Sequence, residues 1–299
     1  MSAGGGVPPG AEARTPPAAV GGPGPAGRPP WPATELGVRA VSGVVLGLLV
    51  LAATLTGGWL FALIWLLAGG AIVGEWLAIT RTGPHRPLLA LAALVLCGLA
   101  AGARLGAPPA ALLGLAAAGL AVLALLARPA AGRIWAPASL ACGAVVALVP
   151  VLLRDDPRIG IAGPLWLFGV VWTTDVAAYF TGRALGGPKL WPAVSPKKTW
   201  SGFCGGLAAA TLLGGAVAAG ARHLGATEAL PLAPALALSA LGSVLSQGGD
   251  LAESALKRAY GAKDSGRLIP GHGGVMDRLD GFLAVAALAG ALLIGRSLT

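Results

Sequence analysis

Long apolar runs dominate this chain, and the polar positions that separate them are few and bunched. A bilayer span needs about 20 mostly apolar residues. On that measure nine spans are predicted, at residues 39–56, 58–80, 87–103, 109–127, 134–153, 160–182, 202–221, 230–250 and 280–296. The predicted fold class is therefore an all-α polytopic integral membrane protein. Two polar connections stand out by length, 183–201 and 251–279. The second belongs to a polar island, 254–280, reading SALKRAYGAKDSGRLIPGHGGVMDRLD.

Composition agrees with the pattern, since 56% of residues are hydrophobic, 11% are charged and the mean hydropathy is +0.78. Such a chain is solvated mainly by lipid. Residues 1–34 differ, being rich in Gly, Pro and Ala without an apolar period, and they read as a disordered cytoplasmic tail. Membrane helices over 35–159 and a chemistry-bearing half over 160–299 complete the organisation. A cleavable signal peptide is not expected, because the first apolar run starts only near Arg39. Cys97, Cys142 and Cys204 have neither disulfide-scaffold pairing nor zinc-site spacing and read as small packing residues. No internal repeat of the transporter kind is visible.

The net charge of +9 changes the picture only through its distribution. No basic helix or soluble domain carries it, so a nucleic-acid partner is not expected. With the N-terminus inside, sixteen of the 21 basic residues fall on the cytoplasmic side, and only Arg104, Arg154, Arg158, Arg222 and Arg296 lie outside. That asymmetry is what the positive-inside rule predicts. Both long polar connections then face the cytoplasm.

Five of the chain's 12 acidic residues lie in or beside the island. Asp250, Ser254 and Lys257 share a helical face with Glu253 beside them. Either the acids pair with Lys257 and Arg258 at an interfacial helix end, or they face a polar cavity. Asp277 and Asp280, three apart, also share a face. Acids in a first turn suit the helix macrodipole, and two acids with Asp250 also suit Mg²⁺, which takes one or two carboxylates and completes its shell with water and phosphates. Residues 270–274, Pro-Gly-His-Gly-Gly, cannot continue a helix; their amides suit phosphate oxygens, or they form a tight loop. In the other connection, Ser195 and Thr199 bracket Lys197 and Lys198 just before a helix, as a phosphate clamp would, while Lys189 reads as a lipid anchor. Asp175, near Thr173, Thr174 and Tyr179, is an intramembrane acid and a functional candidate by default. Glu75 is a weaker candidate of that kind.

Together, Ser254, Lys257, Arg258, Lys263, Asp264, Pro270, His272, Gly273, Gly274, Asp277, Arg278 and Asp280 resemble the signature of the phosphatidate cytidylyltransferase, or CDP-diacylglycerol synthase, family. Ser195-Pro-Lys-Lys-Thr199, Asp175 with Ala178 and Tyr179, and Gly249-Asp-Leu-Ala-Glu-Ser254 look like its other motifs, in the same order. The resemblance is close over 165–285; before that it rests on hydropathy and span count. Ser201 stands where the family usually has Glu, and Gly281 where Ser is common.

The resemblance implies transfer of the cytidylyl group of CTP to phosphatidic acid with Mg²⁺, and a second cation is allowed. Asp250, Asp277 and Asp280 are the expected metal ligands, and Lys197, Lys198, Lys257 and Arg258 are expected around the phosphates. Ser195, Thr199, Ser254, Lys263, Asp264, His272, Gly273, Gly274, Arg278 and Asp175 are the expected substrate contacts. A homodimer is implied by the resemblance alone, since no span presents a decisive small-residue seam. Two rivals are a CTP-dependent polyprenol-type lipid kinase, which would release CDP, and a cation- or proton-coupled transporter using Asp175 and Asp250.

Overall fold

A computed structural model describes residues 31–226, 230–269 and 273–297, with side chains from 41 to 296. The predicted tail falls almost wholly outside the described residues, as do Pro270, Gly271 and His272. Among the described residues the helices are α1 (Trp31–Thr56), α2 (Gly58–Ile79), α3 (His85–Arg104), α4 (Pro109–Leu126), α5 (Gly132–Asp155), α6 (Ala162–Leu185), α7 (Trp200–His223), α8 (Leu232–Ala259) and α9 (Met276–Ser297). Each covers one predicted apolar run. Seven of them, α2–α5 and α7–α9, are long and apolar enough to cross a membrane. The apolar stretch of α1, Val41–Thr56, is shorter. Although 24 residues long, α6 is diluted by Thr173, Thr174, Asp175, Thr181 and Arg183.

Among the described residues the one β-sheet is an antiparallel hairpin in the 183–201 connection, β1 (Lys189–Trp191) paired with β2 (Ser195–Thr199), Lys189 opposite Thr199. It satisfies backbone groups that a loop beside the membrane would leave to water.

Contacts between connections sort the helix ends into two sets. Gly83 bridges Arg128, joining the links after α2 and α4, and Glu75 near the end of α2 reaches the link between α8 and α9. At the other end, Arg154 of α5 donates to the Thr54 carbonyl at 2.8 Å, and Arg104 pairs with Asp155. The helices therefore run alternately up and down, and both long polar connections lie at one end.

Small residues decide how α6 and α7 meet. Gly202, Gly206 and Ala210, spaced by four on α7, are all buried. A Cβ on Gly202 would lie 2.7 Å from the Ala178 carbonyl oxygen, and one on Gly206 would lie 2.8 Å from that of Thr174. This is a small-residue seam of the kind that lets membrane helices pack backbone to backbone. It corrects the expectation that no span carries one, and here it is used within the chain.

A polar stripe orients α8. Ser239 accepts from Trp166 Nε1 at 2.9 Å, Ser243 accepts from Thr174 Oγ1 at 2.9 Å, and Gln247 donates to the Phe203 carbonyl at 3.3 Å. With these groups turned toward α6 and α7, Asp250, one turn beyond Gln247, must face the same way. At 28 residues α8 is long. A rise of 1.5 Å per residue makes it roughly 42 Å, more than the ~30 Å hydrocarbon core of a bilayer.

Candidate active site

At the end of the bundle holding both polar connections lies a cavity of about 1290 Å³. One limb is apolar, lined by Gly43, Leu46, Gly47 and Val50 of α1 with Trp65, Phe168, Trp172 and Val176. Aromatic stacking shapes its floor, with Trp65 against Phe282 at 4.8 Å and Phe168 against Trp172 at 5.6 Å between ring centroids. The other limb is charged. Arg183, Lys189, Lys197, Lys198 and Arg278 line it, and so do Asp175, Asp250, Asp277 and Asp280.

The lysines are set by β2 and the start of α7. Thr199 is the N-cap of α7, its Oγ1 accepting from the Gly202 amide at 3.1 Å, which satisfies one of the helix's orphan donors. Ser201 donates to the Gly186 carbonyl and lies 3.0 Å from the Thr199 hydroxyl. Ser201 thus ties the start of α7 and the end of the hairpin to the end of α6. Lys198 Nζ then reaches Asp250 Oδ2 at 2.7 Å, so the first polar connection meets α8 just before the second begins. Asp250 Oδ1 accepts more weakly from Ser254, at 3.4 Å.

Asp280 comes to Asp250 because α8 and α9 cross closely. A Cβ on Gly249 would lie 2.6 Å from the Asp280 carbonyl oxygen, and one on Gly281 would lie 3.0 Å from that of Ser246. Glycine at 281 therefore belongs to the crossing. Asp175 faces the same space from α6, where the like charge of Asp250 is opposed by Lys198 and Arg278.

Asp277 is held differently. Its Oδ1 accepts from Lys257 Nζ at 2.7 Å and from the Ser265 amide at 3.1 Å; its Oδ2 accepts from the amides of Ser265 and Gly274, both at 2.9 Å. Lys257 also pairs with Glu253 at 2.7 Å. Lys257 therefore knits α8 to α9 and does not line the cavity. Ser195, Ser254, Arg258, Lys263, Asp264, Gly273 and Gly274 are likewise outside the described cavity lining, and Arg258, Lys263 and Asp264 are exposed at the same end. Gly273 has φ +83° and turns the loop, while the amide of Gly274 serves Asp277. His272 lies outside the described residues.

Sequence reasoning underrated Glu75 and missed Ser265. Glu75 is buried and accepts hydrogen bonds from Ser265, Val275 and Met276. Its position four residues from the end of an apolar helix was the available signal.

The donor set suits a hard cation in part. Glu253 Oε1 is buried without a hydrogen-bond partner, and Asp250, Glu253 and Asp175 all act as like charges on Asp280. Among the described residues no three acids, histidines or cysteines converge tightly enough to hold a metal. A site using one or two carboxylates and substrate phosphate oxygens needs no third. Asp250 and Asp280 fit that role; Asp277 enters a metal shell only by releasing a protein hydrogen bond.

The chain is similar to proteins already known by name. A phosphatidate cytidylyltransferase of Brucella suis biovar 1 (strain 1330) is 46% identical over 257 residues, covering 85% of this chain and 92% of the relative. The like-named protein of Brucella abortus (strain 2308) matches equally. That of Bacillus subtilis (strain 168) is 44% identical over 133 residues, 44% of this chain and 48% of the relative. The Cytidylyltransferase family as a whole matches residues 37–294, nearly all of the membrane-embedded chain with both of its polar connections. The chain belongs to the cytidylyltransferase family.

Proposed function

We propose that the chain transfers the cytidylyl group of CTP to phosphatidic acid, giving CDP-diacylglycerol and pyrophosphate for phospholipid synthesis. The observation that carries this is the two-limbed cavity: an apolar limb between α1 and α6 suits acyl chains, and it opens directly into a limb lined by five cations and four carboxylates. A lipid phosphate and a nucleotide triphosphate are the ligands whose chemistry uses both limbs.

In the reaction, a phosphatidate oxygen attacks the α-phosphorus of CTP. A new P–O bond forms, the bond from that phosphorus to the bridging oxygen breaks, and pyrophosphate leaves with the electron pair. The attacking oxygen is already ionised, so no general base is required. The obstacle is repulsion: two unit charges 4 Å apart cost about 4 kcal/mol at an effective dielectric constant near 20. Lys197, Lys198 and Arg278 offset it and align the phosphates, acting as preorganised charges. Lys198 moves from Asp250 toward phosphate when substrate arrives, and this frees Asp250. Asp250 and Asp280, with Asp277 adjacent, would hold Mg²⁺, which when bound would supply further neutralisation of phosphate charge. Lys263, Asp264 and His272 serve the nucleotide and pyrophosphate side from the link between α8 and α9, and Arg258 serves the phosphates from the last turn of α8.

All nine helices cross the membrane in this reading, α6 with its polar residues turned inward, and the end bearing the cavity is cytoplasmic. The up-and-down arrangement and the excess of basic residues at that end support it. A homodimer follows from the family resemblance and is checked by the mass of the detergent-solubilised protein. The test of function is incubation of purified protein with CTP, phosphatidic acid and Mg²⁺, with identification of the products. CDP-diacylglycerol and pyrophosphate are expected. Release of CDP would convert the reading to a lipid kinase, and ion flux across liposomes without CTP consumption would convert it to a transporter.

A further inference from the structure

Glu75 belongs to α2, far in sequence from the proposed site, yet its side chain is spent on that site's framework. It is 6% exposed. Its Oε2 accepts from Ser265 Oγ at 2.9 Å and from the Met276 amide at 2.8 Å, and its Oε1 accepts from the Val275 amide at 2.9 Å. The amides at the start of a helix have no acceptor within it. Glu75 therefore caps α9 from another helix, with a carboxylate where the macrodipole favours one.

Ser265 passes the restraint onward. Its hydroxyl accepts from the Asp277 amide at 3.2 Å, while its own amide donates to Asp277. Asp277 holds Lys257, and Lys257 holds Glu253 on α8. An unbroken chain of hydrogen bonds thus links α2, the 265–276 loop, α9 and α8. The loop is fitted closely to the carboxylate, for a Cβ on Gly266 or Gly274 would lie 2.5 Å from a Glu75 oxygen.

We infer that Glu75 is a positioning residue for cytidylyl transfer: it clamps Ser265, Val275 and the first turn of α9, and so sets where Asp277 and Asp280 stand relative to Asp250. The kinetic part rests on the function proposed above; the clamp itself does not. Glutamine keeps the size of Glu75 but presents one acceptor oxygen and an NH₂ group that only donates. It would set a donor against donors of the loop. Aspartate keeps both acceptors but stops one methylene short.

The test combines amide hydrogen exchange with steady-state kinetics on the full chain in detergent, using Glu75→Gln, Glu75→Asp and Ser265→Ala. In Glu75→Gln, peptides spanning 265–280 should exchange at least tenfold faster while peptides from α3, α4 and α5 are unchanged. Its kcat should fall at least tenfold, with the KM for CTP within threefold of wild type. Glu75→Asp should recover part of both losses, Ser265→Ala should shift both in the same direction by less, and the Gln/Ala double variant should be no worse than Glu75→Gln alone. Wild-type kcat in Glu75→Gln would overturn the inference, as would faster exchange spread through α2, α3 and α5. Should Glu75→Gln fail to fold, unchanged exchange and kcat in Ser265→Ala would overturn it. If the wild-type chain makes no CDP-diacylglycerol, the proposed function falls while the exchange measurements still decide the clamp.

Discussion

Replacing Gly249 with Ala tests whether the α8–α9 crossing sets the catalytic geometry. The added Cβ would sit 2.6 Å from the Asp280 carbonyl oxygen and 3.0 Å from Ala284 Cβ. An ordinary carbon–oxygen contact is roughly 3.4 Å, so the helices must part by roughly 0.8 Å. Overpacking of this size costs about 1–3 kcal/mol. The displacement falls on the residue after 249, Asp250, and on Asp280 itself. A misplacement near 1 Å in a reacting constellation costs up to about 100-fold in rate. A fall in kcat of about 10- to 100-fold is expected, equivalent to roughly 1.4–2.7 kcal/mol of barrier. The assay is pyrophosphate release from CTP and phosphatidic acid in detergent, alongside a thermal unfolding scan. Gly248→Ala is the control, because a Cβ there meets nothing within 4 Å. Wild-type turnover in Gly249→Ala, or an equal loss in Gly248→Ala, would refute the reasoning.

Lys257→Met removes the cation from the buried Glu253 and the half-buried Asp277, which keeps its bonds to the Ser265 and Gly274 amides; a loss of about 1.5–3 kcal/mol is expected, seen as a lowered melting temperature and partly reversed by Glu253→Gln. Gly47→Leu intrudes on the apolar limb, where a Cβ already lies 3.9 Å from Trp172; the KM for long-chain phosphatidic acid should rise several-fold while that for CTP stays constant. Asp280→Asn should lower kcat by at least 100-fold and raise the Mg²⁺ concentration needed for half-maximal rate, and chelation of divalent cations should stop wild-type turnover. Equal Mg²⁺ dependence in mutant and wild type would remove Asp280 from the metal site.

Much of the site was legible because its chemistry is local. Asp250 with Ser254, and Asp277 with Asp280, lie one helical turn apart, so helix periodicity alone puts each pair on a common face. What was not legible came from contacts across the fold. Lys257 looked like a phosphate ligand; Glu253, one turn back on α8, is a partner the helix itself supplies, and the crossing of α8 and α9 adds Asp277. Gly274 looked open to a ligand, but its surroundings are Glu75 and Ser265. The four-residue spacing of Gly202, Gly206 and Ala210 stands in the sequence but gave no expectation of a seam there; its packing against α6 came from the fold.

By itself the sequence determined the apolar helices and the two polar connections between them, because lipid compels each apolar run to satisfy its backbone internally. It also carried the family's chemistry in short motifs. Only the tertiary structure decided which polar groups confront one another: Lys198 meets Asp250, Asp277 is held by the loop, and Glu75 reaches across some 200 positions to cap α9. Such pairings depend on sub-ångström choices of helix rotation and crossing, made by glycines and buried hydroxyls, and hydropathy carries no information about them.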